Sequence, residues 1–318
     1  MTEPFLRIES VTKVYDQYVA VDHVSLSIPG GQIFGLLGPN GAGKTSIIRM
    51  ITGITAPDSG QIFFQGQPLS PEHVRYIGYM PEERGLYKKM KIREQLEYFL
   101  QLKGIETRAA RATATSWLER LGLGEWQNKN AADLSKGMQQ KVQFIATVAH
   151  EPKLLILDEP FTGLDPVNAR LIEEEIMRLR DNGATIIFST HRLEQVEEFC
   201  NHIALMNKGK LLLHDEVATV RKQFNKNQYR IEFLGDKQVV SDLPGIMVDE
   251  LGEKEALVRV AEGSSGRQLM HQLADSPLEI FAFEQHLPRL TDIFIELVGS
   301  QSPEAEAMRL QMAQGSAA

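Results

Sequence analysis

The chain has 318 residues, of which 42% are hydrophobic, and its 34 basic and 42 acidic side chains give a formal net charge of −8. This length and composition predict packed cores in two domains, and the acidic excess is unfavourable for a broad nucleic-acid-binding surface, so no nucleic-acid partner is expected. No apolar run approaches the roughly 20 residues of a membrane-spanning helix, the first residues do not resemble a signal peptide, and Cys200 is the single cysteine, so a reducing cytoplasm is the expected setting.

Short β-type runs separated by turns occupy the first part of the chain. They cover residues 5–8, 19–21 and 24–28, and Pro29-Gly30-Gly31 then precedes an apolar run at residues 33–37. Such runs predict a small antiparallel sheet that leads into a buried strand.

The segment after this strand matches the pattern G-x-x-x-x-G-K-[ST], and a helix is predicted from about Lys44 to Ile51. The candidate nucleotide-binding residues are Gly38, Pro39, Asn40, Gly41, Ala42, Gly43, Lys44, Thr45 and Ser46. Glycines let the backbone turn its N–H groups toward an anion, Lys44 is placed to reach the β- and γ-phosphates, and the Thr45 hydroxyl is a ligand for Mg²⁺. The alternative is a glycine-rich turn without a ligand.

In the middle of the chain the predicted secondary structure changes twice, first to helices alone and then to alternating strands and helices. A turn at 57–60 and strands at 61–64 and 76–80 precede three helices, at 92–102, 108–121 and 138–149, which form an inserted helical lobe at about 91–150. Apolar runs at 154–157 and 185–188 then flank a helix at 167–180. This βαβ order predicts a parallel sheet covered by helices.

Two carboxylates end the first of these apolar runs. Because ligands bind at the carboxyl ends of parallel strands, Asp158 can lie beside the phosphate loop and hold Mg²⁺ through water. Glu159 would then orient the attacking water or accept its proton as a catalytic residue. The alternative is a charged turn at a strand end.

Ser135, Lys136, Gly137 and Met138 open a helix between the phosphate loop and the acidic strand. With this peptide, residues 5–216 resemble the ABC ATPase family. The resemblance assigns Tyr15 to stacking on adenine, although an edge-strand tyrosine packed on the sheet is an alternative. It also assigns Asp165 to communication across a dimer and His191 to catalytic contact with the γ-phosphate.

The resemblance implies an α/β fold with a P-loop NTPase core, a mainly parallel sheet, an N-terminal antiparallel subdomain and the helical lobe. In the family two subunits pack head to tail, so the peptide at Ser135 completes the partner's ATP site. It implies ATP and Mg²⁺ as cofactors, a homodimer or heterodimer with a related ATPase, and an integral-membrane permease as partner. The protein would be cytoplasmic and peripheral on the inner face of the cell membrane.

The chain departs from the family pattern at three positions. Glu82 stands where a glutamine usually binds Mg²⁺ and senses the membrane subunit, and its role as a metal ligand is a hypothesis. Lys136 and Met138 stand where glycine and glutamine are usual.

The composition changes again after residue 224. Strands at 229–234, 256–260 and 279–283 and helices at 266–274 and 289–298 predict a small α+β domain at 225–300, after an ABC ATPase domain at 1–224. Residues 301–318 form a tail for which disorder is predicted, with a marginal helix as the alternative. The extra domain narrows the resemblance to ATPases of bacterial sodium- and drug-exporter type. A soluble ABC-type ATPase in translation, DNA repair or chromosome organisation is the alternative, and no acceptor or guanine site supports a P-loop kinase or GTPase.

Overall fold

The structure is a computed structural model that describes residues 3–83, 85–190, 193–261 and 263–299. His191 and the predicted tail at 301–318 lie outside the described residues. The chain divides into two compact units between Glu216 and Val217. This division lies one helix earlier than the boundary at residue 224 that the composition indicates.

A four-stranded antiparallel sheet covers one part of the first unit. Its strands are β1 (Leu6–Tyr15), β2 (Tyr18–Ile28), β4 (Ser59–Phe64) and β5 (Gln67–Pro68), in the order β2-β1-β4-β5. The two runs predicted at 19–21 and 24–28 are one strand. The register of β1 against β2 shifts around His23, which has a φ of +50°, so the apparent turn is an irregularity within β2.

A six-stranded sheet forms the centre of the first unit. Its strands are β3 (Ile33–Leu37), β6 (Ile77–Met80), β7 (Leu154–Asp158), β8 (Thr185–Thr190), β9 (His202–Asn207) and β10 (Lys210–Glu216), in the order β10-β9-β3-β8-β7-β6. The pairs from β9 to β6 are parallel, and β10 is antiparallel to β9. Every residue of β3, β7 and β8 is buried, which is why these strands are almost continuous apolar runs in the sequence.

In the described part of this unit the α-helices are α1 (Lys44–Ile51), α2 (Ile92–Leu102), α3 (Thr107–Arg120), α4 (Lys136–Val148), α5 (Pro166–Asp181) and α6 (Leu193–Phe199). α2, α3 and α4 pack on one another as the inserted lobe, and the rings of Trp117 and Phe144 meet edge to face with centroids 6.5 Å apart. None of the helices in the described ranges is long and apolar enough to cross a membrane.

The second unit is α+β, as predicted. It contains α7 (Val217–Gln223), β11 (Gln228–Leu234), α8 (Gln238–Ser241), β12 (Ile246–Leu251), β13 (Glu255–Val260), α9 (Gly266–Ala274), β14 (Glu279–His286) and α10 (Leu290–Val298). The antiparallel sheet has the order β12-β13-β11-β14. Ile231, Phe233 and Val258 from the sheet and Leu269 and Leu273 from α9 form its core. The fold class predicted from the sequence is therefore confirmed.

Candidate functional site

The loop between β3 and α1 has a backbone that glycine alone adopts without strain. Gly38 and Gly43 have φ values of +144° and +104°. A Cβ at Gly38 would lie 2.3 Å from the Met206 carbonyl oxygen, and one at Gly43 would lie 2.4 Å from the Ala20 carbonyl oxygen. Both values are shorter than any real contact, so the loop is folded tightly against β9 and β2.

The Lys44 side chain folds back into this loop. Its Nζ donates hydrogen bonds to the carbonyl oxygens of Gly38 at 2.6 Å and Pro39 at 3.1 Å. Burial lowers the pKa of Lys44, and the charges of Asp158, Glu159 and Glu82 oppose this effect. The ammonium group is therefore held inside the loop and lies within the electrostatic reach of three carboxylates.

The N-terminus of α1 adds backbone donors to the same place. Gly43 caps this helix without a side-chain hydrogen bond, and no acidic residue lies in its first turn. The first N–H groups of α1 are consequently not neutralised by a side chain, which favours an anion at this end. Thr45 is exposed and Ser46 is half-buried within this turn.

Asp158 is the last residue of β7 and pairs in register with Ser189 of β8. Its side chain is buried, and burial raises its pKa, with Glu159 and Glu82 acting in the same direction and Lys44 opposing them. A buried carboxylate with acidic neighbours is a costly arrangement that a cation would relieve.

Glu159 has a φ of +51°, which is unusual for a residue with a side chain. Its N–H donates to the Ser189 carbonyl oxygen at 3.0 Å, and the Thr190 hydroxyl donates to its Oε2 at 3.3 Å. The end of β8 thus holds both the backbone and the carboxylate of Glu159. Strain of this kind is typical of functional sites.

Glu82 lies on the loop after β6, and its side chain is exposed. Its charge acts on Lys44 and Asp158, which places it within the electrostatic range of the site. It also acts on Tyr79, whose pKa burial raises to about 12, with Asp158 and Glu82 contributing and Arg49 opposing. The Tyr79 hydroxyl therefore stays neutral at physiological pH.

The peptide at Ser135 lies at the N-terminus of α4. The exposed Ser135 caps this helix, and its Oγ accepts a hydrogen bond from the Met138 N–H at 3.3 Å. Lys136 is exposed, and Gly137 lies beside the loop after β7, since its Cβ would be 3.7 Å from atoms of Gly163 and Leu164. Among the described hydrogen bonds, none connects this peptide with the loop at 38–45.

Asp165 caps α5 and directly follows Leu164, which lies beside Gly137. Its carboxylate accepts a hydrogen bond from the Asn168 N–H at 3.0 Å, and the hydrogen bonds from Asn168 lower its pKa. The structure therefore brings Asp165 close to the Ser135 peptide in one chain, and both present exposed surface.

The aromatic residues at the turn between β1 and β2 differ in their contacts. Tyr15 ends β1, is 37% exposed and has the Lys13 Nζ 5.6 Å from its ring centroid. Tyr18, which the sequence did not single out, donates from its hydroxyl to the Gly41 carbonyl oxygen at 3.2 Å. The sequence gives no sign of this contact, because Tyr18 comes close to Gly41 only when β2 is folded.

Two glutamines of α4 were also missed. Gln140 Nε2 donates to the Pro160 carbonyl oxygen at 3.0 Å, and Gln143 Nε2 donates to the Pro81 carbonyl oxygen at 2.7 Å. Both side chains are buried. Their only sequence signal is a polar residue on the apolar side of a helix, which is weak by itself.

Comparison with known proteins gives consistent results. A family model described as ABC transporter matches residues 21–162, and one described as ATP-binding protein DrrA1-3-like, C-terminal domain, matches residues 216–298. The uncharacterized ABC transporter ATP-binding protein YhaQ of Bacillus subtilis is 42% identical over 295 residues, which cover 93% of this chain and 99% of YhaQ. Nod factor export ATP-binding protein I of Rhizobium etli is 32% identical over 297 residues, which cover 92% of both chains. A solved structure of an ATP binding subunit of an ABC transporter aligns with a TM-score of 0.65 and 29% identity, covering 69% of this chain and 93% of that chain.

Proposed function

Because the chain belongs to the ATP-binding proteins of ABC transporters, we propose that it hydrolyses ATP to drive an exporter whose membrane-spanning part is a separate permease. The observation that carries this proposal is the meeting of Lys44, Asp158 and Glu159 at the carboxyl ends of β3 and β7. A relative named for Nod factor export supports the exporter assignment.

Magnesium fits the donors at this site. The described residues contain no cluster of three or more His, Cys, Asp or Glu side chains able to hold a metal. Mg²⁺ does not need such a cluster, because it binds few protein oxygens and takes other ligands from water and phosphate. We assign Thr45 and Asp158, the latter through water, as its protein partners and Glu82 as a candidate third. Bound there, the ion would neutralise charge on the phosphates.

The protein groups have distinct roles in hydrolysis. The N–H groups of the loop and α1 bind the phosphates, and Lys44 exchanges its two carbonyl partners for phosphate oxygens. Glu159, held by Ser189 and Thr190, orients the attacking water and accepts its proton. His191 is assigned to the γ-phosphate by the family resemblance.

The site is proposed to be completed by a second subunit. Ser135 is exposed at the N-terminus of α4, and neither Ser135 nor Gly137 has a described hydrogen bond to the phosphate loop of its own chain. The positive end of α4 suits the γ-phosphate held by another subunit. ATP then joins two subunits, and its hydrolysis releases them.

An apolar groove of about 350 Å³ in the first unit is the proposed permease site. It is lined by residues of β6, α2 and α4, and Ile54 and Leu102 on its rim are 60% and 66% exposed. Exposed apolar surface of this kind is typical of a protein interface. A cytoplasmic segment of the permease is the proposed occupant, and with it bound this protein would lie on the inner face of the cell membrane.

Copurification tests the exporter assignment. The full chain, isolated from membranes of its native host in mild detergent, should carry a polytopic membrane protein. Leu102→Asp should lose this partner, because a charge in an apolar interface must be desolvated, whereas Glu106→Gln outside the groove should keep it. Isolation with ribosomes or DNA and without a membrane protein would contradict the proposal.

Mixing two inactive variants tests the shared site. Lys44→Ala removes the phosphate contact, and Ser135→Arg blocks the helix end. In a homodimer, about half of the mixed population would be heterodimers with one complete site each, so the mixture should recover about one quarter of the parent ATPase rate. A mixture no more active than its separate components would exclude a homodimer with shared sites.

A further inference from the structure

Gln143 of α4 is a buried polar side chain whose contacts are unusual for a helix interior. It is 5% exposed, and a polar group so buried is expected to have partners. Its Nε2 donates to the Pro81 carbonyl oxygen at 2.7 Å and more weakly to the Glu83 carbonyl oxygen at 3.4 Å. These two carbonyl groups belong to the residues on either side of Glu82.

The orientation of the amide follows from these acceptors. The two carbonyl oxygens accept hydrogen bonds from the NH₂ group of the amide, whereas the amide oxygen would be repelled by them. The Gln143 Oε1 therefore points elsewhere, and it is buried without a hydrogen-bond partner among the described residues. An apolar side chain would fill the same space without this cost, so simple packing does not account for a glutamine here.

The contact joins two parts of the nucleotide site. α4 carries Ser135 at its N-terminus, while the loop held by Gln143 carries Glu82, whose charge acts on Lys44 and Asp158. We propose that Gln143 is a positioning residue that fixes the Glu82 loop to α4 and thereby sets the position of the Glu82 carboxylate in the site. Its effect on hydrolysis rests on the role proposed above for Glu82.

Gln139 offers a matched control on the same helix. Its Nε2 also donates to two backbone carbonyl oxygens, those of Ala131 at 3.0 Å and Leu134 at 3.1 Å. These partners lie within the helical lobe, and neither belongs to the residues that flank Glu82. Gln139→Met therefore removes the same number and kind of hydrogen bonds without touching that loop.

The experiment compares Gln143→Met, Gln143→Glu and Gln139→Met in the full chain. Methionine retains the volume without donors, and glutamate retains the shape but places a carboxylate against the carbonyl groups. Native-state cleavage after Glu82 and Glu83 by a glutamate-specific protease reports opening of the loop without nucleotide or metal. Cleavage should be about tenfold faster in both Gln143 variants, because the rate follows the open population, and unchanged in Gln139→Met.

Hydrolysis provides a second measurement. The ATPase kcat of Gln143→Met should fall several-fold while KM for ATP stays within about twofold of the parent, because the loop at 38–45 is untouched. Gln139→Met serves as the control for the cleavage measurement only, because it releases the carbonyl group of Leu134, which precedes Ser135. The inference is overturned if cleavage after Glu82 and Glu83 is not accelerated, if exposed sites such as Glu125 are cleaved faster to the same extent, or if kcat is unchanged. Failure of permease copurification would contradict the exporter assignment and leave the loop measurement intact.

Discussion

Replacing Gly43 by alanine should damage the phosphate loop through backbone geometry alone. Gly43 has a φ of +104°, and the added Cβ would lie 2.4 Å from the Ala20 carbonyl oxygen and 3.3 Å from the Met206 Cε. The first contact is with the backbone of β2, where Ala20 is buried, so it cannot be relieved by a rotamer change. The loop or the strand must move instead.

Two costs add at this position. An L-residue in the left-handed region costs about 1–2 kcal/mol, and overlap with a fixed backbone atom adds about 1–3 kcal/mol. The free energy of unfolding should therefore fall by roughly 2–5 kcal/mol. For a domain of this size, that corresponds to a melting temperature lower by roughly 4–20 °C. Because the loop N–H groups are displaced, ATP affinity should fall at least about tenfold.

Gly183→Ala separates the two costs. Gly183 has a φ of +93°, but a Cβ there meets no atom within 4 Å, so it carries the conformational cost alone. Thermal unfolding by circular dichroism and ATP titration by calorimetry should show a smaller loss of stability and the parent ATP affinity. A Gly43→Ala variant that unfolds within a degree or two of Gly183→Ala and binds ATP equally well would show that the overlap with the Ala20 carbonyl oxygen has no cost.

Two further predictions concern Glu159 and His150. Glu159→Gln should slow hydrolysis about a hundredfold or more, as measured by phosphate release, and the ATP-bound dimer should accumulate, as measured by light scattering. Normal turnover would remove Glu159 from its assigned role. Burial, together with the Lys103 charge, lowers the pKa of His150 to about 4. The unfolded chain binds this proton near pH 6.5 and the folded chain does not, so stability should fall by up to roughly 1.4 kcal/mol per unit as pH falls from 6.5 to 4. His150→Gln should flatten this slope in urea unfolding, and an unchanged slope would show that His150 is not its source.

The motifs that the sequence reveals are those built from neighbouring residues. A strand, a glycine turn and a helix place Lys44 and the loop N–H groups in one short segment, and an apolar strand delivers Asp158 at its end. The fold class was predicted correctly for the same reason, since fully buried parallel strands leave continuous apolar runs. The strands β5, β9, β10 and β12 were not predicted, and β12 is largely exposed and shows little apolar pattern.

Other assignments depend on residues distant in sequence. Tyr18 reaches Gly41 and Gln143 reaches Pro81 only because β2 and α4 pack where they do. The assignments of Tyr15 to adenine and Glu82 to magnesium stay predictions, as does that of His191, which lies outside the described residues.

The sequence alone predicted that a nucleotide's phosphates bind between β3 and α1, because the required turn and charge are encoded within one octapeptide. The tertiary structure decided how that loop is surrounded. It buried Asp158, bent the backbone at Glu159 and attached the Glu82 loop to α4. These features arise from packing and hydrogen bonds between distant segments, whose energies depend on distance and burial and leave little trace in local sequence.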